Sequence, residues 1–336
     1  MTASDLMSRY FHRSVSVPTR RRERLLGALP MIVRRPAAIA VSDALVSLLF
    51  DTLRAEPLLG RTFERLRFIT QYDEDQDGRR RLLAFLFDDG RETPFAVAKV
   101  QNDARNGSLQ IEAAALTSVH GLVTPELQET IPDLLRVHAD SRGEVLIVSA
   151  LPGRSAWLEM HASLVPSRYV RGHFESAGRW LAAFHEATRQ DEETTAVHGD
   201  FWAHNILHDA HHQGRNPIAV IDWEHFTPAG SRYIDLFRYP LTYGQAYPGR
   251  FYRPLDAETA FARTFLERNH LSRAVRGYLD SYCARTGIRR PRMAAAFREL
   301  VVGSAAPGGM THPGVRNLPW TRFLTMLDAS SGSVFS

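Results

Sequence analysis

The sequence predicts an α+β fold in two lobes, a small N-terminal antiparallel sheet followed by a larger, mainly helical C-terminal part. Three observations predict it. Short apolar and β-branched runs crowd residues 63–100 and return at 144–151. Helical spacing takes over from residue 174 onward. Between the two regimes stands Pro152-Gly153, where a chain leaving its last strand would bend. A length of 336 residues, 44% hydrophobic and 23% charged, suits roughly two domains with a real core. The organisation reads as an extension over 1–60, an N-terminal lobe over 61–152, a C-terminal lobe over 153–330 and a Ser-rich, disordered tail over 331–336.

The extension is basic at first and then apolar and helical over 38–50, with no legible purpose. Strands are expected at 65–70, at 82–87 and around Lys99, with Asp-Asp-Gly at 88–90 making a hairpin turn. The alanine-rich stretch 109–119 should be a helix whose only charge is Glu112. Residues 144–151 form a buried strand running into the bend. Over 174–185, Phe174, Ala177, Leu181 and Phe184 fall on one side of a helix that leads to the most informative run of the chain. After Asp235 the chain reads as helical to about residue 302.

That run is Val-His-Gly-Asp-Phe-Trp-Ala-His-Asn-Ile-Leu, 197–207, followed by Ile-Asp-Trp-Glu at 221–224. The spacing His-x-Asp-x-x-x-x-Asn lets one short turn present a carboxylate, Asp200, to a hydroxyl and an amide oxygen, Asn205, to a metal ion. Asp222, on the far side of a short hairpin, supplies a second oxygen ligand. These are the elements of phosphoryl transfer. His198 and Asp235 are assigned to supporting the loop.

Lys99 is the only lysine among 41 Lys and Arg residues, and it sits in the apolar strand Pro-Phe-Ala-Val-Ala-Lys-Val, 94–100. A compact ammonium on a slim stem suits a phosphate oxygen where a planar guanidinium is bulkier. Glu112 could pair with it and aim it. The backbone at Ser149, Ala150 and Leu151 would face an adenine edge.

Together these residues resemble the aminoglycoside phosphotransferase and choline kinase family, relatives of protein kinases that act on small molecules. The likeness covers roughly residues 63–300 and rests on His198-Gly199-Asp200, Asn205, Ile221-Asp222-Trp223-Glu224 and Asp235-Leu236, in the family's order. It implies a protein-kinase-like fold, ATP (or GTP) and Mg²⁺ as cofactors, Lys99 on the phosphates with Glu112 as its helix partner, Asp200 as base, and Asn205 and Asp222 as magnesium ligands. Two departures stand out. The loop that should cover the nucleotide, 71–81, has only Gly78, and Trp202 and His204 occupy loop positions often held by smaller or different residues.

Other classes are constrained by composition. A single cysteine, Cys283, excludes an intrachain disulfide, and with no apolar run of spanning length it points to a cytoplasmic protein. The net charge of +4 is spread along the chain without a nucleic-acid motif. The basic residues within 13–35 offer either a solvated helix face or a contact for a protein or an anionic membrane. A metal-dependent hydrolase built on His198, Asp200, His204, His208, Asp209, His211, His212 and Asp222 is the alternative enzyme; a catalytically weak or inactive pseudokinase is the alternative binding module. For the acceptor, 14 arginines against six acids from Phe237 onward argue for a neutral or anionic, sugar-like metabolite over a polycation. The aromatic set Phe237, Tyr239, Tyr243, Tyr247, Phe251 and Tyr252 is either lobe core or a cage for a quaternary ammonium.

Overall fold

The computed structural model describes residues 43–63, 66–74, 80–88, 91, 93–102, 107–162, 167–208, 218–247, 255–305 and 318–330. The basic cluster near the start, Gly78 with most of its loop, Asp89-Gly90, Asp209, His211, His212, Phe251, Tyr252 and the Ser-rich tail lie outside these residues. The chain divides into two compact units: Met1–Ala114 with Asp133–Ala150, and Ala115–Pro132 with Leu151–Ser336.

In the first unit, helix α1 (Asp43–Ala55) is followed by β1 (Leu66–Glu74), β2 (Arg80–Asp88), β3 (Ala96–Gln101), the start of helix α2 (Ser108–Leu122), β4 (Leu134–Asp140) and β5 (Gly143–Ser149). The strands form one antiparallel sheet in the order β1-β2-β3-β5-β4. The purpose that the sequence left unread in 38–50 is now visible. Leu45, Leu48, Leu49 and Leu53 recur at helical spacing and bury themselves with Leu82, Ala84, Ala98, Val100, Val145 and Ile147 of the sheet. Truncating one such leucine to alanine would cost about 2–5 kcal/mol. Arg136 of β4 fastens the helix end by donating to the Thr52 carbonyl at 2.8 Å.

The second unit takes up the end of α2 and the short helix α3 (Pro125–Gln128). It continues with β6 (Arg154–Ser155), α4 (Ala156–Ala162), α5 (Ser167–Ala187), β7 (Thr194–Val197), β8 (Ile206–His208), β9 (Ile218–Val220) and β10 (Thr227–Ser231). Helices α6 (Tyr233–Ala246), α7 (Ala257–Phe261), a π-helical turn (Ala262–Leu266), α8 (His270–Thr286), α9 (Arg290–Ala305) and α10 (Trp320–Ala329) complete it. The strands make two small sheets, β6-β8-β9 and β7-β10. The expected α5 stripe is the core: Phe174, Ala177, Leu181 and Phe184 are fully or almost fully buried, with Trp180 stacked between Phe184 and Phe201. Phe237, Tyr239, Tyr243 and Tyr247 are buried core residues as well. The α+β class, with a five-stranded antiparallel sheet and a mainly helical remainder, is as expected.

Among the described residues no helix is long and apolar enough to cross a membrane.

Candidate active site

The catalytic-loop residues gather in the second unit, and helix α6 holds them from beneath. Asp235, fully buried in the first turn of α6, accepts from the backbone N–H of His198 at 2.6 Å and of Gly199 at 3.0 Å. One carboxylate therefore satisfies two consecutive loop donors that would otherwise be buried unpaired. Burial pushes the Asp235 carboxyl up to about 7, opposed by those two N–H donors. Gly199 has φ +81°, and a Cβ there would lie 2.3 Å from the His225 carbonyl oxygen, so only glycine lets the loop pass that turn.

The His198 ring spans the loop and the segment after β9. Its Nδ1 accepts from the Asp200 N–H at 3.1 Å and its Nε2 lies 3.1 Å from the Ile221 carbonyl. This pairing requires the neutral tautomer with the proton on Nε2, donating to Ile221. Burial keeps it neutral by lowering the imidazole to about 3. Trp223, fully buried, packs edge-on against the same ring at 4.5 Å and donates to the Val220 carbonyl at 3.0 Å.

Asp200 has a partner on each oxygen. Arg238 Nη2 donates to Oδ1 at 2.6 Å, and Asn205 Nδ2 donates to Oδ2 at 2.9 Å and to the Asp200 carbonyl at 3.1 Å. Burial raises the proton affinity of this carboxyl, while the Arg238 charge opposes the rise. Because Asn205 spends its nitrogen on Asp200, its amide oxygen is the atom available to a cation. Ile221 N donates to the Asn205 carbonyl at 2.9 Å, so Asp222 directly follows the residue bonded to Asn205. Asp222 has φ +70°, a left-handed conformation uncommon outside glycine and best tolerated by Asn and Asp. A carboxylate and an amide oxygen are hard donors, and they fit magnesium.

The unusual loop residues pack on one another. His204 lies between Trp202 at 4.3 Å and Trp157 at 4.6 Å, and Trp157 N donates to the Ala203 carbonyl at 3.0 Å. Among the described residues no cluster of three or more His, Cys, Asp or Glu is arranged to hold a metal ion.

The other expected pair forms within the first unit. Lys99 Nζ donates to both Glu112 oxygens at 2.7 Å. The helix carrying Glu112 is itself placed by Glu144, which is fully buried at the start of β5. Its carboxylate accepts from the Leu109 N–H at the helix start, at 3.3 Å, and from Gln101 and Gln110 at 2.7 and 2.8 Å. Preceding it, Gly143 has φ +152°, and a Cβ there would meet the Gln101 carbonyl oxygen at 2.1 Å. At 149–151, Ser149 N donates to the Asp133 carbonyl and Ala150 N to the Phe95 carbonyl, at 2.9 and 3.0 Å. The Ser149 and Ala150 N–H groups, within the stretch expected to face an adenine edge, are thus committed to backbone carbonyls.

Sequence reasoning did not single out Arg238 or Glu144. Arg238 is one arginine among many, although its place three residues after Asp235 puts both on one face of a helix. Glu144 is the first residue of the stretch read as a buried strand and carries no motif of its own.

Comparison with known proteins gives two findings. A model of the phosphotransferase enzyme family matches residues 147–269. Among solved structures, similarity is found to an aminoglycoside-3'-phosphotransferase of type VIII, at 15% identity and TM-score 0.41 over 71% of this chain and 99% of that one. It is also found to aminoglycoside phosphotransferase APH(3'')-Id from Streptomyces rimosus, at 16% identity and TM-score 0.39 over 74% of this chain and 95% of that one. No curated protein matches. The matched family segment holds His198, Asp200, Asn205, Asp222 and Asp235, and over residues 147–269 the resemblance to the aminoglycoside phosphotransferase family read from these motifs is borne out.

Proposed function

We propose that the protein is an ATP-dependent kinase of small molecules that transfers the γ-phosphoryl group to an acceptor hydroxyl, with GTP as a possible donor in the same chemistry. One observation carries the reading: Asp200 and Asn205 are locked to each other through Asn205 Nδ2, which sets a carboxylate beside an amide whose oxygen is its remaining acceptor, on one short turn. Asp200 takes the hydroxyl proton as that oxygen bonds to the γ-phosphorus and the bond to the ADP oxygen breaks. Asn205 and Asp222 are the oxygen ligands for magnesium, and Lys99, aimed by Glu112, binds phosphate oxygens. Bound magnesium supplies positive charge against the β- and γ-oxygens. His198 and Asp235 hold the loop and touch no reactant.

The acceptor we propose is sugar-like or another neutral or anionic metabolite. The arginine surplus that supports this is smaller than the sequence suggests, because Arg238 and Arg292 are paired with Asp200 and Glu193, acids that lie before the stretch. Turnover of an aminoglycoside with none of a sugar would overturn this part.

The melting temperature with and without ATP and magnesium tests the nucleotide site, since a ligand bound only by the folded state raises it. A rise that needs magnesium and disappears in Asp222→Asn is expected; no rise with any nucleotide sinks the kinase reading.

A further inference from the structure

The base of a phosphoryl-transfer site must be both oriented and ionised, yet Asp200 lies in a nearly closed environment that favours neither. Its side chain is 13% exposed, and the loop segment 199–204 contains neither lysine nor arginine. Arg238 meets the first need. It is 4% exposed, and it reaches Oδ1 from the helix turn whose Asp235 grips the loop backbone. Helix α6 thus holds the loop twice within one turn, by the Asp235 carboxyl on the N–H groups of His198 and Gly199 and by the Arg238 guanidinium on the side chain of Asp200. Residues i and i+3 share a helix face, so neither contact can shift without the other.

We propose that Arg238 is the positioning residue of the base: from α6 its guanidinium fixes the Asp200 carboxylate through Oδ1. With Oδ1 tied to Arg238 and Oδ2 to Asn205, rotation of the carboxylate is blocked. The same arrangement links the base to the metal ligand. Asn205 can turn its amide oxygen outward only while its nitrogen stays on Asp200, and Arg238 keeps Asp200 there.

This inference rests on the proposed kinase function, and its test separates the two. Basal hydrolysis of ATP with magnesium, in which water takes the place of the acceptor hydroxyl, is measured in wild type, Arg238→Gln and Arg238→Lys beside the nucleotide-dependent rise in melting temperature. Both variants lose the planar fork and should lower kcat by about 10–100-fold, with the KM for ATP and the nucleotide-dependent rise unchanged. Arg238→Lys carries the test if Arg238→Gln does not fold. A kcat near wild type in a folded variant, or a fall in kcat matched by loss of nucleotide binding, overturns the proposal. Absence of any nucleotide effect in wild type would instead strike the kinase reading.

Discussion

The two site ion pairs, one in each unit, are built in opposite senses. In the first unit the acid is the buried member, Glu112 at 3% side-chain exposure, and the cation Lys99 is the more open one at 16%. In the second unit the cation Arg238 is buried at 3%, and the acid Asp200 is the more open one at 13%. Each pair therefore keeps its counter-ion inside and turns outward the charge that the proposed chemistry uses, a cation for phosphate oxygens and an anion for a hydroxyl proton. The choice of residue follows. Arginine, always charged and able to fork, tolerates the buried place, while lysine on its flexible stem suits the place that must meet a ligand.

The largest test of this contrast is to neutralise each outward charge in turn. Asp200→Asn should lower turnover by about 10²–10⁴-fold, the usual contribution of a general base, and leave the nucleotide-dependent rise in melting temperature intact. Lys99→Met should reduce that rise as well as turnover. If Asp200→Asn abolishes nucleotide binding to the same extent as Lys99→Met, the division of labour is wrong. A smaller effect compares the two glycines that let a backbone carbonyl come close. Gly143→Ala and Gly199→Ala should each lower stability by about 1–3 kcal/mol through strain at positive φ, measured by urea unfolding. Only Gly199→Ala should also disturb the Asp200 environment, and an equal disturbance from Gly143→Ala would break the comparison.

The smallest effect is in the pH dependence of stability. The raised Asp235 keeps a proton in the folded state up to about pH 7 that the unfolded chain loses near 3.8, so its contribution falls as pH rises between those values. The lowered His198 works the other way. The unfolded imidazole binds a proton below about 6.5 that the folded one refuses down to about 3, so its contribution grows as pH rises through that window. The two oppose each other across most of their range. Asp235→Asn should make the rise of unfolding free energy between pH 4 and 6.5 steeper than in wild type, and His198→Gln should make it shallower. Parallel profiles for all three proteins would show that the loop and helix do not hold these protonation states.

The site was legible in the sequence where chemistry forces rare residues into fixed spacing. His198, Asp200, Asn205 and Asp222 fall in one short run and one hairpin, and Lys99 is conspicuous for being alone. The α5 stripe was legible because apolar periodicity reports which face is buried. Arg238 was hidden by composition, since in a chain so rich in arginine another one carries no signal until a helix brings it under Asp200. Glu144 was hidden by distance, because its role depends on a strand start and a helix start separated by 35 residues. The packing of α1 was hidden for the same reason: an apolar stripe shows that a helix is covered but not what covers it.

The left-handed turn at Asp222 has a practical consequence for anyone engineering this protein. Judged by backbone comfort alone, position 222 invites glycine, which takes φ +70° without penalty, and a design scheme that rewards relaxed dihedrals would select that change. The product would be a hardier scaffold stripped of a proposed magnesium ligand. At this residue thermal robustness and catalytic competence pull in opposite directions, so a library selected on heat resistance alone would drift away from activity.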